Sequence, residues 1–388
     1  MENSAVNPTE KIHFKDKVSH VLKVIYKALT NRTFLYIVRR ILSSIITLVL
    51  IVAIVTALIR LLPDNKFYDV REYKLLRGKL GVEGAERWKN RQLFLAGRTD
   101  VNGNTTSVLQ NIITYIYWII PIPKAIPFKY DSTYSSVLEY INVFSYFGRS
   151  ANYSGKPLVT DLFTSKIGIS FTISILTTVF AYLLSIPLGI AMAKKPGGIA
   201  DKIGNVFIVL NYAIPALVFY LLMLNVFGNP NGIFSWANFG LKYDADNPWT
   251  LFPPIFCVVF LSIPGIAIWV RRFMVDELSS DYVKFARSKG LSETKIMYKH
   301  VFRNASVPLI RGLPAIFLGS IVGSYYIEYI WTIPGTGGLL VNALQGGSPD
   351  IQLVQALTVI YAVISMSSFL LGDIITIFFD PRIKLIAD

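Results

Sequence analysis

Apolar runs of about 20 residues recur along the sequence and limit the folds that it can adopt. An α-helix rises about 1.5 Å per residue, so a run of this length crosses a hydrocarbon layer roughly 30 Å thick. The chain has 388 residues, of which 53% are hydrophobic, and its mean hydropathy is +0.49. The runs lie at 41–62, 167–193, 204–228, 251–270, 308–332 and 352–379. The sequence therefore predicts an all-α integral membrane protein with six transmembrane helices.

A long polar segment, 63–166, separates the first two runs. Its most apolar stretch, IITYIYWIIPIP at 112–123, is too short to span a membrane and ends in prolines. We therefore expect 63–166 to be an extracellular insertion with a small core of its own, which includes Leu93 and Phe144. The first run begins near Ile41 and lacks an exit of small residues, so we expect a retained span rather than a cleaved signal peptide.

The distribution of Lys and Arg predicts the orientation of the chain, because short cytoplasmic loops carry an excess of these residues. Eight of them precede Ile41, whereas the short loops 229–250 and 333–351 together hold only Lys242. The 63–166 segment holds 14, but segments longer than about 60 residues cross largely regardless of charge. The predicted cytoplasmic parts are 1–40, 194–203, 271–307 and 380–388. Both termini are thus expected in the cytoplasm.

The stretch DYVKFARSKGLSETKIMYKH at 281–300 holds five Lys or Arg and two acids. Burying this much charge in a bilayer is costly, so we expect an aqueous loop. Asp276–Lys289 can run as one helix, with Ser279, Ser280 and Asp281 at its start and Gly290 after its end. Ser292 can start a second helix. The predicted apolar faces are Leu278, Tyr282, Phe285 and Ala286 in the first helix, and Met297, Tyr298, Val301 and Phe302 in the second. Such a loop can lie on anionic lipid or offer a helix to a groove in a partner protein.

The sequence from 281 to Ile310 resembles the EAA loop of ABC-importer permeases, in the form found in peptide permeases. Ala286 and Gly290 match the family's A-x-x-x-G core, whereas Lys284 and Phe285 replace its Glu-Ala and Pro308 falls later than usual. FLYIVRRIL before the first run, YIEYIWTIPGTGGLL at 326–340 and GDIITIFFDPRIK at 372–384 resemble the same branch. The resemblance covers about 34–62 and 145–384 and is nearest to the B-type subunit of oligopeptide and dipeptide permease pairs.

This resemblance implies a role for the 276–303 loop as a coupling element that docks into a cytoplasmic ATPase. The residues expected in or near the contact are Tyr282, Val283, Ala286, Gly290 and Leu291. Arg287 and Lys289 are expected to pair with acidic side chains of the ATPase.

The resemblance also implies the partners and the cargo. It implies a type I importer fold in a prokaryotic cell membrane, a second homologous permease subunit, two ATPases that bind ATP and magnesium, and an external substrate-binding protein. The expected cargo is peptides, with oligopeptides first, and the 63–166 insertion would either help to receive the binding protein or only solubilise the chain.

The sequence offers little for catalysis by this chain. It has no GxxxxGK[ST] loop to cradle phosphate, and its three histidines, His13, His20 and His300, are scattered. The lone cysteine, Cys257, lies in an apolar run. We therefore expect no enzyme activity, and no cofactor or metal in this chain. The net charge of +14 could indicate nucleic acid, but basic residues of a membrane protein usually report its topology, so we expect membrane lipid and not nucleic acid as a partner.

Five residues within or near the runs are candidates for gating or for the transport pathway. Asn211, Pro215 and Pro264 interrupt the third and fourth runs and could permit bending, or only static kinks. Glu328 and Asp373 are ionisable groups within the fifth and sixth runs, and each could instead make a structural bond to another helix. Arg60, at the end of the first run, is expected to snorkel to the outer interface.

Two other classes of protein remain open from the sequence. A stand-alone secondary transporter usually shows two similar halves and charges at the membrane midplane, and no convincing internal repeat is present here. A membrane receptor with 63–166 as its ligand-binding part would not require the two-helix cytoplasmic loop.

Overall fold

The computed structural model describes residues 32–100, 104–130, 138–150, 153, 157–323, 325–345 and 349–379. Most of the predicted N-terminal cytoplasmic segment and the whole C-terminal segment 380–388 lie outside these ranges. The helices within them are α1 Arg32–Arg60, α2 Val70–Leu95, α3 Val108–Ile119, α4 Val159–Lys194, α5 Ile199–Ala213, α6 Ala216–Gly228, α7 Phe252–Leu278, α8 Asp281–Ser288, α9 Glu293–Lys295, α10 Phe302–Gly323, α11 Tyr325–Ile330, α12 Thr336–Leu344 and α13 Ile351–Phe379.

Five helical stretches in the described part of the chain are long and apolar enough to cross a membrane. They are Leu35–Arg60, Val159–Lys194, Pro248–Leu278, Glu293–Ile330 and Ile351–Thr376. Helices α5 and α6 add a sixth crossing if they count as one span, but they meet at 94°. Ile214 is extended before Pro215, as the residue preceding a proline tends to be. The apolar run at 204–228 is therefore two helices rather than one.

Helices α4 and α7 pack closely because small residues face each other at their crossing. A Cβ added to Gly189 on α4 would lie 2.6 Å from Cβ of Val270 and 2.8 Å from the backbone oxygen of Ala267. Glycine permits such close approach of two backbones in membrane helices. Between α4 and α5, a Cβ on Gly204 would likewise meet the side chain of Met192 at 2.4 Å. These contacts bring the ends of α4, α5 and α7 together near the 276–303 loop.

The 63–166 segment adds a two-stranded sheet to this mostly helical membrane protein. Strands β1 Lys124–Tyr130 and β2 Leu138–Val143 pair antiparallel, with Ile126 opposite Ile141. Helix α3 has 12 residues and packs through buried Tyr115 against Val52 and Val359 of two membrane helices. The apolar stretch at 112–123 thus belongs partly to this short helix.

Two of the core predictions for 63–166 have opposite outcomes. Leu93 is buried as predicted, whereas Phe144 is 65% exposed and the prediction for it was wrong.

Arg60 does more than reach the interface, because its guanidinium donates to the backbone oxygens of Thr106 at 2.7 Å and Arg98 at 3.3 Å. Arg98 in turn pairs with Asp64 at 2.8 Å. These contacts fasten the end of α1 to the 63–166 segment.

Candidate functional site: the 276–303 loop

The 276–303 loop begins with the last turn of α7, and that helix ends before α8 starts. Helix α7 ends at Leu278, so the prediction of a single helix from 276 to 289 was wrong. Ser280 occupies the N-cap position of α8 in an extended conformation, but its side chain makes no capping hydrogen bond. Asp281 lies in the first turn of α8, where a negative charge is favourable.

Gly290 ends this helix in the way that the sequence predicts. Its φ is +75°, a left-handed conformation that glycine adopts without the strain a Cβ would cause. The N–H of Leu291 donates to the backbone oxygen of Ala286 at 3.3 Å, which closes the end of the helix. A Cβ at Gly290 would meet nothing within 4 Å. Glycine is therefore needed here for its backbone conformation, and the surrounding space is open.

The inner face of the loop continues the core of the membrane helices. Val283 is fully buried and Ala286 is 6% exposed, in one cluster with Val270, Met274 and Val301. Tyr282 and Leu291 pack against this cluster. Since Val283 and Ala286 are enclosed by their own chain, their predicted part in a partner contact can only be indirect.

The outer face of the loop presents an aromatic ring and basic groups. Phe285, predicted to lie on the apolar face of the first helix, is 61% exposed, whereas Val283 is turned inward and buried. The ammonium of Lys289 lies 4.5 Å from the centre of the Phe285 ring, within the range of a cation–π contact. Tyr298 of the second predicted stripe is also exposed, whereas Met297 and Val301 are buried.

Arg287 has a partner within the loop. Its guanidinium donates to the two carboxylate oxygens of Glu293 at 2.7 and 3.2 Å. This contact raises the pKa of Arg287 and spans the turn at Gly290. A partner protein that binds Arg287, as the sequence predicts, would have to compete with Glu293.

The second half of the loop contains a rare helical form. Ser292 is the N-cap residue of α9, as predicted, and Ile296–Val301 then form a π-helical stretch that leads into α10. Such stretches are uncommon and occur frequently at functional sites.

Earlier in the loop, the Tyr282 hydroxyl donates to Glu277 at 2.6 Å, and burial raises the Tyr282 pKa to about 12. The loop thus has helical structure on both sides of Gly290.

Residues 185–385 match the family described as binding-protein-dependent transport system inner membrane component. This range includes the whole loop and more than half of the chain. The chain belongs to this family. The loop is therefore part of the family's own region, whereas the 63–166 segment lies outside the matched residues.

Similar proteins include two permease proteins of named peptide transport systems. The chain is 34% identical over 249 residues to the oligopeptide transport system permease protein AmiC of Streptococcus pneumoniae, covering 62% of this chain and 45% of AmiC. It is 31% identical over 239 residues to the dipeptide transport system permease protein DppB of Lactococcus lactis, covering 62% of this chain and 76% of DppB. The chain thus matches less than half of the length of AmiC.

Among solved structures, the inward-facing MetNI methionine ABC transporter has a chain that is similar to this protein. The TM-score is 0.43 and the sequence identity is 15%, over 57% of this chain and 97% of the MetNI chain.

Two of the predicted gating residues, Asn211 on α5 and Pro264 on α7, are linked through the carbonyl of Phe260. Pro264 has no N–H to offer the carbonyl of Phe260 four residues earlier, yet α7 continues through it. The amide nitrogen of Asn211 donates to that carbonyl at 3.1 Å. Asn211 is 4% exposed. The break falls instead at Pro215, between α5 and α6.

Glu328 is fully buried and binds the segment that follows it. Its carboxylate accepts the Ser170 hydroxyl at 2.6 Å and the N–H of Gly338 at 3.0 Å. The Ser170 oxygen also accepts the N–H of Thr336 at 2.9 Å. Glu328 and Ser170 together cap the start of α12, so these contacts favour the structural reading of Glu328.

Asp373 joins three membrane helices. Its carboxylate, whose side chain is 4% exposed, accepts from Arg40 of α1 at 2.6 Å and from Arg311 of α10 at 2.8 Å. A bond to neighbouring helices is what the structural reading of Asp373 predicted. The sequence offered no signal for the two arginine partners, which lie far apart along the chain.

One charged pair beside the loop was missed from the sequence. Arg271 on α7 donates twice to the buried carboxylate of Asp201 on α5, at 2.6 and 2.8 Å. Gly197 and Asn205 donate to the same carboxylate. Asp201 lies 70 residues from Arg271, so no local pattern connects them. No group of His, Cys, Asp and Glu side chains that could hold a metal ion occurs among the residues described.

Proposed function

We propose that this chain is the transmembrane permease subunit of an ATP-driven importer of peptides, oligopeptides first. It would form half of the translocation pathway and pair with a second, homologous permease subunit. Two separate cytoplasmic ATPases would bind ATP and magnesium, and an external binding protein would deliver the substrate. The names of the similar proteins AmiC and DppB support peptides as the substrate class.

The observation that carries this proposal is the construction of the 276–303 loop. Its outer face offers Phe285 and Lys289 beside the turn at Gly290, and its inner face is fused to the membrane core through Val283 and Ala286. A helix that is exposed on one side and packed on the other is suited to coupling. Its exposed side can contact a partner protein, and its packed side can transmit a displacement to the membrane helices. A loop that merely lies on lipid would not need this packing.

The proposed mechanism is alternating access. Closure of the two ATPases around ATP would push α8, and the shared core would carry that displacement to α4, α7 and α10. The ATPases bind ATP more tightly in the closed state, and this difference shifts the equilibrium between the inward-open and outward-open states. The permease chain transmits the shift to the transport pathway. The Arg271–Asp201 pair would move α5 together with α7.

The test is recovery of the ATPases with the permease from gently solubilised membranes. We compare the wild type with Gly290→Glu and, as a matched control, Gly290→Asn. Asparagine tolerates the left-handed conformation better than other residues with a Cβ, whereas glutamate adds strain and a negative charge beside Lys289. We expect the wild type and Gly290→Asn to recover the ATPases, and Gly290→Glu to lose them.

Failure of the folded wild type to recover an ATPase would contradict the proposal and favour a stand-alone transporter or a receptor. Equal recovery by Gly290→Glu would contradict the role of the loop. Thermal unfolding of each variant in detergent shows whether the protein is folded.

A further inference from the structure

Helix α2 is folded back on itself and forms a helical hairpin, residues 70–95. Gly81 has φ 75° and ψ 179°, which interrupts the helix. The hydroxyl of Tyr73 donates to the Glu86 carboxylate at 2.6 Å. In a straight helix these residues would lie about 20 Å apart along the axis. The two arms, 70–80 and 82–95, therefore lie side by side.

The base of the hairpin is held firmly. Trp88 is 2% exposed, and the Tyr68 ring lies edge-on to it with 6.0 Å between ring centres. Glu86 accepts from both Tyr73 and Lys89, and these hydrogen bonds lower the pKa of Glu86. The hairpin is thus a rigid projection, since aromatic packing and charged hydrogen bonds fix its two arms together.

The tip of the hairpin is exposed, apolar and flanked by positive charge. Leu80 and Val82, which flank Gly81 at the tip, are 48% and 56% exposed, and Leu75, farther back on the first arm, is 65% exposed. The basic residues of the first arm are Arg71, Lys74, Arg77 and Lys79. None of these four forms an ion pair with a residue that the structure describes. The first arm therefore carries net positive charge beside exposed apolar side chains, with Glu72 on the same arm and Glu86 close enough to interact electrostatically with Arg77.

We propose that this tip docks onto an acidic surface, edged by apolar side chains, of the soluble binding protein that delivers the substrate. This inference rests on the proposed function, which places 63–166 outside the cell and requires such a partner. A helix that lies on a membrane needs a continuous apolar face, whereas here the exposed apolar residues cluster around a turn between charged positions. The hairpin also lies outside the residues that match the family, 185–385.

The experiment measures the affinity of the permease, with its partner subunits, for the purified peptide-binding protein of the same cell. The complex is held in phosphatidylcholine nanodiscs at low and high salt. The variant Lys74→Glu/Lys79→Glu is compared with Lys66→Glu/Lys242→Glu, which changes the net charge equally at other exposed sites. A third variant, Leu75→Ser/Val82→Ser, removes the apolar contact. Trp fluorescence and thermal unfolding verify the fold of each.

We expect Lys74→Glu/Lys79→Glu to weaken binding about tenfold at low salt, mainly through slower association, and to reduce its salt dependence. The control should retain the wild-type affinity, and Leu75→Ser/Val82→Ser should accelerate dissociation. Equal weakening by hairpin and control variants would overturn the proposal, because only net charge would matter. Unchanged affinity in all three would also overturn it. If the affinity is unchanged while the ATPases are still recovered with these variants, the docking inference fails and the proposed function stands.

Discussion

The carboxylate of Glu328 and the glycines that follow it show how single residues fix the local backbone. A Cβ added to Gly335 would lie 2.3 Å from a carboxylate oxygen of Glu328 and 2.6 Å from the Ser170 hydroxyl. A Cβ on Gly338 would come no nearer than 3.5 Å to any neighbour, the backbone oxygen of Ile333. A Cβ on Gly337 would lie 2.5 Å from Cα of Tyr325 and 3.0 Å from a carboxylate oxygen of Glu328. Of the three glycines in PGTGG, Gly335 and Gly337 therefore have no room for a Cβ, whereas Gly338 does.

We predict that Gly335→Ala destabilises the protein by about 2 kcal/mol, because the added methyl overpacks a buried hydrogen-bonded carboxylate. Thermal unfolding in detergent measures this effect. Gly338→Ala is the matched control and should be nearly neutral. Equal stability of the two variants would show that the contacts around Glu328 relax easily and do not hold α12 in place.

Single residues also mark the limit of sequence-based prediction in the loop. The sequence predicts the turn at Gly290, because a glycine after a helical pattern is a strong local signal. The spacing of apolar residues places Phe285, and not Val283, on the apolar face of the helix, although Val283 is the residue that is buried. Only the packing of α8 on the membrane core determines that Val283 is buried and Phe285 exposed.

Among the helices, α5 and α7 show how two prolines in similar apolar runs have opposite effects. At Pro264 the helix continues, because Asn211 of the neighbouring helix donates to the carbonyl of Phe260 that the proline leaves without its usual partner. At Pro215 the chain instead turns by 94° between α5 and α6. Hydropathy predicts where the apolar runs lie. It does not show which residue donates to a carbonyl that a proline frees, because that donor lies about 50 residues away along the chain.

We predict that Asn211→Leu destabilises the protein by about 1–3 kcal/mol, because it leaves the buried Phe260 carbonyl unpaired. Adding Pro264→Ala should restore most of the loss, since residue 264 can then donate its own N–H to that carbonyl. Thermal unfolding of the two single variants and the double variant measures this coupling. The control is Asn225→Leu, which removes an exposed hydrogen bond within one helix. Purely additive effects would contradict the assigned contact.

At the scale of the whole molecule, hydropathy and charge predict most of the membrane architecture and little of the 63–166 segment. Long apolar runs are strong signals because the bilayer demands them. The β-hairpin and the fold-back at Gly81 depend on contacts such as that between Tyr73 and Glu86, which no periodic pattern records. The orientation of the chain is likewise a prediction from loop charge alone.

We predict that Lys242→Cys reacts with a membrane-impermeant maleimide in intact cells, whereas Lys202→Cys reacts only after the membrane is opened. Both lysine side chains are exposed, that of Lys242 in the 229–250 loop and that of Lys202 in the first turn of α5, and the native Cys257 is buried. The extent of maleimide labelling, measured by a gel shift, shows on which side of the membrane each cysteine lies. Labelling of Lys202→Cys alone in intact cells would invert the proposed orientation and place the 276–303 loop outside.

The contact between the 276–303 loop and an ATPase is the central claim, and cross-linking tests it most directly. Phe285→Cys in a Cys257→Ala background places a reactive thiol on the exposed face of α8. A short bifunctional maleimide is applied to the assembled complex in membranes. We predict a cross-link between the permease and the ATPase at Phe285→Cys, and none at Lys242→Cys. An intact complex that gives no cross-link at Phe285→Cys would contradict the account.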